Sequence, residues 1–152
     1  MTEMTLSQRI DDDLKQAMRA KDDVAKLTLR SVKTALTEAG KAGSESHTVS
    51  DEDALAVVMK EAKRRRDAMA EYEKAGRADL VASEAAELAI LERYLPRQLS
   101  ESEIQILAQE VIQLVGATSV REMGKVMSVL MERVAGQADG RAVNQVVRRL
   151  LA

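Results

Sequence analysis

A single proline stands in the 152 residues, at position 96. On both sides of it apolar residues recur at helical spacing. Proline lacks a backbone donor and its ring clashes with the preceding turn, so a helix that reaches Pro96 must end there. Directly beyond comes LPRQLSESEI, where the helix-start signals agree: Ser100 as N-cap, Glu103 reaching back to it, and Leu99 placed to pack on Ile104 as a hydrophobic staple. This stop and fresh start predict a boundary between an N-terminal helical domain, 1–95, and a C-terminal three-helix domain, 96–152.

Upstream, Thr5 and Gln8 read as a capping box for a helix with Leu6, Ile10, Leu14, Ala17 and Met18 on one face, running to about Ala20. Asp22 or Asp23 caps a second helix. Its apolar positions Val24, Leu27, Leu29, Val32, Leu36 and Ala39 wrap around more than one face, predicting burial between neighbours. Gly40 and Gly43 are expected to stop it. After the loop-like GKAGSESHTVS, Ser50 with Asp53 restarts a helix that continues to Gly76. Asp79 is expected to cap a fourth, carrying Leu80, Val81, Leu88, Leu91 and Leu95.

Downstream, Ile104, Leu107, Ala108, Val111 and Leu114 form a stripe stopped by Gly116. Ser119 and Glu122 repeat the capping-box pattern before Met123, Met127, Leu130, Met131 and Val134. Gly136 stops that helix, Asp139 caps the last, and Val143, Val146, Val147, Leu150 and Leu151 supply its buried side. The sum is an all-α chain of about four helices and then three. Small units bury a smaller share of their surface, so the C-terminal part is expected to lean on the other domain or on a partner.

Composition agrees. Phe, Trp and Cys are absent and only Tyr72 and Tyr94 are aromatic, so the core must be built from aliphatic residues and the eight Met. No disulfide, thiolate nucleophile or sulfur-ligated metal is available. No apolar run approaches a membrane span and MTEMTLSQRIDDD is no signal peptide, which points to the cytoplasm and away from membranes.

A search for chemistry finds no catalytic constellation. His47, the sole histidine, lies in a polar loop without companions and reads as solvated. Asp11, Asp12, Asp13, Glu84 and Glu87 read as wet helix faces. Gly136 and Gly140 match no phosphate-cradling loop and read as helix terminators. Neither a metal nor a cofactor is expected.

Two basic clusters remain. In KEAKRRRDAMAEYEKAGR, Lys60, Lys63, Arg64 and Arg66 lie within reach of Glu61, Asp67, Glu71 and Glu73, which predicts a salt-bridged solvent face. The second is C-terminal: from Arg121 onward six basic residues stand against three acidic ones, a local +3 within a chain of net −2. Arg148 and Arg149 suit the end of a helix macrodipole. Lys125 lies near a helix start, where a cation opposes the dipole, and suits contact with an anion.

KEAKRRRDAMAEYEKAGRADLVASEAAELAILERYLPRQLSESEI, then MGKVMSVLM and GQADGRAVNQVV, resemble the YqeY family along nearly the whole chain. The C-terminal half of that family is similar to the tail domain of the B subunit of the glutamyl-tRNA(Gln)/aspartyl-tRNA(Asn) amidotransferase. The resemblance implies an N-terminal helical domain and a compact three-helix domain that serves, in the amidotransferase and in some glutaminyl-tRNA synthetases, as a tRNA-binding module. It points to Gly124 and Lys125, and to the loop of Gly136, Ala138, Asp139 and Gly140 leading to Asn144. The residue after Gly136, often basic in relatives, is Gln137 here. Free-standing members carry an inherited label of carbon–nitrogen ligase activity with glutamine as amide donor. This chain holds neither a Ser/Lys constellation placed for amide hydrolysis nor a nucleotide-cradling loop.

The expectation is therefore an accessory protein without its own catalytic centre, a monomer or weak oligomer, gripping tRNA or a tRNA-dependent enzyme through Gly124, Lys125, Arg133, Gly136, Arg141, Asn144, Arg148 and Arg149. DNA is not an expected ligand. Without aromatics in the C-terminal half, RNA contact would be with backbone and shape. Two rivals stand beside it: a protein-interaction adaptor docking a partner helix on an exposed Met and Leu stripe, and a component of glutamine-dependent amidation.

Overall fold

The computed structural model describes residues 3–43 and 49–152, and among them there are helices and turns but no strand. The all-α chain divides into two compact units, Met1–Leu95 and Pro96–Ala152. His47 lies outside the described residues.

The first unit contains α1 (Leu6–Ala20), α2 (Asp23–Gly43), α3 (Asp51–Lys74) and α4 (Ala78–Glu92). At the start of α1 both halves of the Thr5/Gln8 capping box form. Lys21, left-handed at φ 56°, closes the helix by donating its N–H back to Ala17 and Met18. Asp22 takes the cap of α2 by accepting from the Ala25 N–H at 3.1 Å. Ser50 caps α3 through the Asp53 N–H, and Gly76, at φ 68°, follows its C-terminus.

The α2 expectation needs two corrections. Its buried side is Ala25, Thr28, Leu29, Val32 and Leu36, a single stripe, while Leu27 is 62% exposed and Val24 also faces water. Gly40 does not stop the helix; it is buried within it, because tertiary contacts override a helical penalty of only about 1 kcal/mol. Asp79 is likewise not the cap of α4. Arg77 occupies that position, and the Asp79 carboxylate pairs with its guanidinium at 3.0 Å.

Ile10 and Leu14 of α1, Leu29 and Val32 of α2, Val58 of α3 and Leu91 of α4 meet in one core. Each such side chain contributes roughly 1.5–3 kcal/mol. Tyr94 closes its edge: its hydroxyl donates to Asp13 at 2.6 Å and the Arg9 guanidinium lies over its ring. Burial, reinforced by the Asp13 carboxylate, pushes the phenol above its ordinary range.

The second unit contains α5 (Glu101–Val115), a 3₁₀ turn (Val120–Glu122), α6 (Met123–Val134) and α7 (Gly140–Leu151), each α-helix touching the other two. It has a core of its own, centred on Ile104, Val111, Val126, Leu130, Val143 and Val147. The Ser100/Glu103 capping box forms in full and Gly116 ends α5 at φ 70°. Leu114 is 64% exposed and lies outside the stripe expected for it.

No second capping box forms, because Ser119 makes no side-chain cap bond and the Glu122 carboxylate accepts instead from the Thr118 N–H and hydroxyl, both at 3.1 Å. The left-handed residue ending α6 is Ala135, at φ 47°, with Gly136 at φ 83° after it. Gly140 is the first residue of α7 rather than a terminator.

Candidate nucleic-acid interface

α7 decides where the C-terminal cations can go. Val143, Val146, Val147 and Leu151 are buried. At 100° per residue that leaves Arg141, Gln145 and Arg148 in one solvent-facing line, with half-buried Asn144 beside it. Arg141 and Arg148 stand seven residues apart on it, about 10.5 Å along the axis. Along this stripe the secondary structure itself aligns two of the C-terminal cations.

The remaining cations do not join them as one patch. Arg149 turns toward the α5/α7 seam, where its guanidinium binds Glu101 at 2.7 Å. Arg133 turns toward the α5/α6 seam and pairs with Glu110 at 3.7 Å. Glu101 and Glu110 are nine positions apart on α5 and leave opposite sides of that helix. Arg149 and Arg133 are thus both paired with acids of their own unit, since long side chains pair with whatever lies across the seam.

Lys125 is exposed in the first turn of α6. Its charge helps hold the Glu122 carboxyl below the ordinary carboxylate range, after the larger effect of the two Thr118 bonds. Gly124 beside it is exposed and helical, and a Cβ placed there would meet nothing within 4 Å. Packing within the chain therefore does not require this glycine.

The loop after α6 is tied down rather than open. Gly136 offers its carbonyl to the Gln98 amide at 3.2 Å, and the Gln137 carbonyl accepts from the Leu99 N–H at 2.7 Å. In return the Gln137 amide donates to the Arg97 carbonyl at 3.1 Å. Gln137 therefore serves structure here. Arg97 meanwhile grips Glu103 through two bonds of 3.0 and 2.7 Å. That pairing, with the Ser100 N–H, holds Glu103 down at about 2.

The α3 cluster is largely neutralised. Lys63 pairs with Asp67 at 3.0 Å, Arg64 with Glu61 at 3.4 Å and Arg66 with Glu92 at 3.7 Å, while Lys60 is exposed. The solvent-face expectation missed Arg65. That side chain is 7% exposed, bonds to Glu61, itself 6% exposed, and reaches Glu87 of α4 at 3.4 Å. Nothing in KRRR marks the third basic residue as buried; its register against Ala54, Val58 and Ala62 was the available signal.

Among the described residues no three His, Cys, Asp or Glu side chains converge to hold a metal ion, and no helix is long and apolar enough to cross a membrane. Comparison with known proteins adds one relative. "Altered inheritance of mitochondria protein 41, mitochondrial" of Pyrenophora tritici-repentis is 29% identical over 147 residues, covering 94% of this chain and 79% of its own. The family model described as "Yqey-like protein" matches residues 7–151. With that match spanning both units, the chain belongs to the YqeY-like protein family.

Proposed function

We propose that the protein is an accessory module whose C-terminal unit grips the phosphate backbone of tRNA, adding affinity to a partner enzyme that supplies the chemistry. The observation that carries this reading is the outer stripe of α7. Arg141, Gln145 and Arg148 form a rigid polar edge with cations at both ends, and Lys125 adds a further exposed charge on α6. The family's likeness to the tRNA-binding tail of the amidotransferase B subunit supports the choice of RNA.

Affinity from a few cations comes from release of condensed counterions, so it is modest and falls steeply with salt. With no Phe or Trp, and both tyrosines outside the second unit, no aromatic ring is available there for bases to stack on. A cytoplasmic site of action belongs to the same proposal, with the mitochondrial designation of the fungal relative as its counterweight; cell fractionation decides it.

The Arg141→Glu/Arg148→Glu variant should bind a tRNA transcript at least about tenfold more weakly and lower the salt slope by about two. Unchanged titration curves reject the surface. A second reading, the protein adaptor, is favoured by Ile106 and Leu114, 56% and 64% exposed on α5. If Ile106→Lys/Leu114→Lys abolishes retention of a partner enzyme after nuclease treatment while tRNA binding is silent throughout, the adaptor reading replaces the first.

A further inference from the structure

Resting on the RNA-backbone reading, we propose that Glu101 and Glu110 are internal phosphate mimics that hold Arg149 and Arg133 in reserve and thereby set the affinity of the second unit for a polyanion. Each carboxylate occupies the guanidinium that a phosphate oxygen would otherwise take. The contacts are 2.7 Å for Arg149 and 3.7 Å for Arg133. Carboxylate and phosphate each present a pair of anionic oxygens that can accept two parallel N–H bonds from a guanidinium, so one substitutes for the other at the same donor.

Burial decides whether such a pair can exchange. Glu101, Arg149 and Glu110 are each more than half exposed, and Arg133 is 42% exposed. Exposed pairs are held weakly and a polymer offering several phosphates can open them. The Glu61–Arg65 pair of the first unit is far less able to exchange in this way, because both side chains are almost wholly withdrawn from solvent. Glu101 and Glu110 are also free of capping work: Glu103, not Glu101, completes the Ser100 box. Their neutralisation therefore leaves the start of α5 in place.

The two arginines lie in different seams of α5, so they are recruited separately. Arg141 and Arg148 make first contact along α7, and Arg149, one residue beyond Arg148, is the nearer reserve. Arg133 follows from α6. The acids thus act as a brake: the unit grips a dense polyanion and releases a sparse one.

The experiment is a double-mutant cycle on the full-length chain, read by titration with a tRNA transcript at several salt concentrations. Glu101→Gln should tighten binding roughly two- to fivefold and raise the salt slope by about one, and Glu110→Gln should do the same to a smaller extent. Arg149→Ala should weaken the native protein less than about twofold, yet erase the whole gain of Glu101→Gln when combined with it. A gain that survives removal of Arg149 would mean a general field effect and overturn the proposal, as would no gain at all. If those results fail while Arg141→Glu/Arg148→Glu still weakens binding, only the brake is lost. If neither the native chain nor the Glu101→Gln/Glu110→Gln variant binds tRNA, the backbone reading falls and the brake with it.

Discussion

The two units use the same ion pair, Arg with Glu, in opposite ways. In the first, Arg65 and Glu61 are sealed in the seam between α3 and α4, and Glu87 and Glu92 of α4 extend the network to Arg65 and Arg66. In the second, Arg97, Arg133 and Arg149 meet Glu103, Glu110 and Glu101 around the outside of α5. Desolvation makes a buried pair an all-or-none element, costly to leave half made, whereas a solvated pair is worth about 0–1 kcal/mol and can exchange partners. Under the proposed function, the first unit serves as scaffold and the second as the part that binds.

The sharpest way to break this contrast is Arg65→Ala, which should destabilise the first unit by about 3 kcal/mol in urea denaturation by leaving the buried Glu61 with only the exposed Arg64 guanidinium, 3.4 Å away, as its partner. Glu61→Leu/Arg65→Met, apolar at both positions, should recover most of that loss. A small effect of Arg65→Ala would show that the seam is wetter than its burial indicates. Next in size is the left-handed Ala135, where Ala135→Gly should stabilise the second unit by about 0.5–1 kcal/mol and leave the first unchanged. A loss of stability instead would mean that the loop gains more from the methyl group than its backbone strain costs.

The smallest effect is the acid response of the second unit. Glu103 has its carboxyl depressed from 4.5 to about 2, first by Arg97 and then by the Ser100 N–H. Its contribution is complete above the unfolded value and disappears as pH falls from about 4.5 through about 2. Glu103→Gln should remove that slope from a pH series of denaturation midpoints, and an unaltered slope would assign it to other carboxylates.

Much of the frame was legible in the residues because helix ends are written in local chemistry. Thr5 with Gln8, Ser50 with Asp53, and Ser100 with Glu103 each act across three residues, within one turn. The same pattern misled at Ser119, since Thr118 competes for the Glu122 carboxylate from only four residues away. Stripe assignments erred at their margins: Leu27 and Leu114 keep helical spacing with the core yet face water, because periodicity gives a phase and not the width of the buried arc. For the candidate site, α7's own periodicity placed Arg141 and Arg148 on one line.

The sequence by itself therefore determined the all-helical class, most helix starts and the amphipathic face of α7, all fixed by groups within a turn or two of each other, whereas α4 already ends at Glu92, short of the stop expected at Pro96. Only the tertiary structure decided which charges are spent. Arg65 meets Glu87 across 22 positions, Arg149 meets Glu101 across 48, and Tyr94 reaches Asp13 across 81. A charged side chain carries no local mark of its partner. Whether it is buried, paired or left for a ligand depends on which helix packs beside it, and that is a property of the assembled bundle alone.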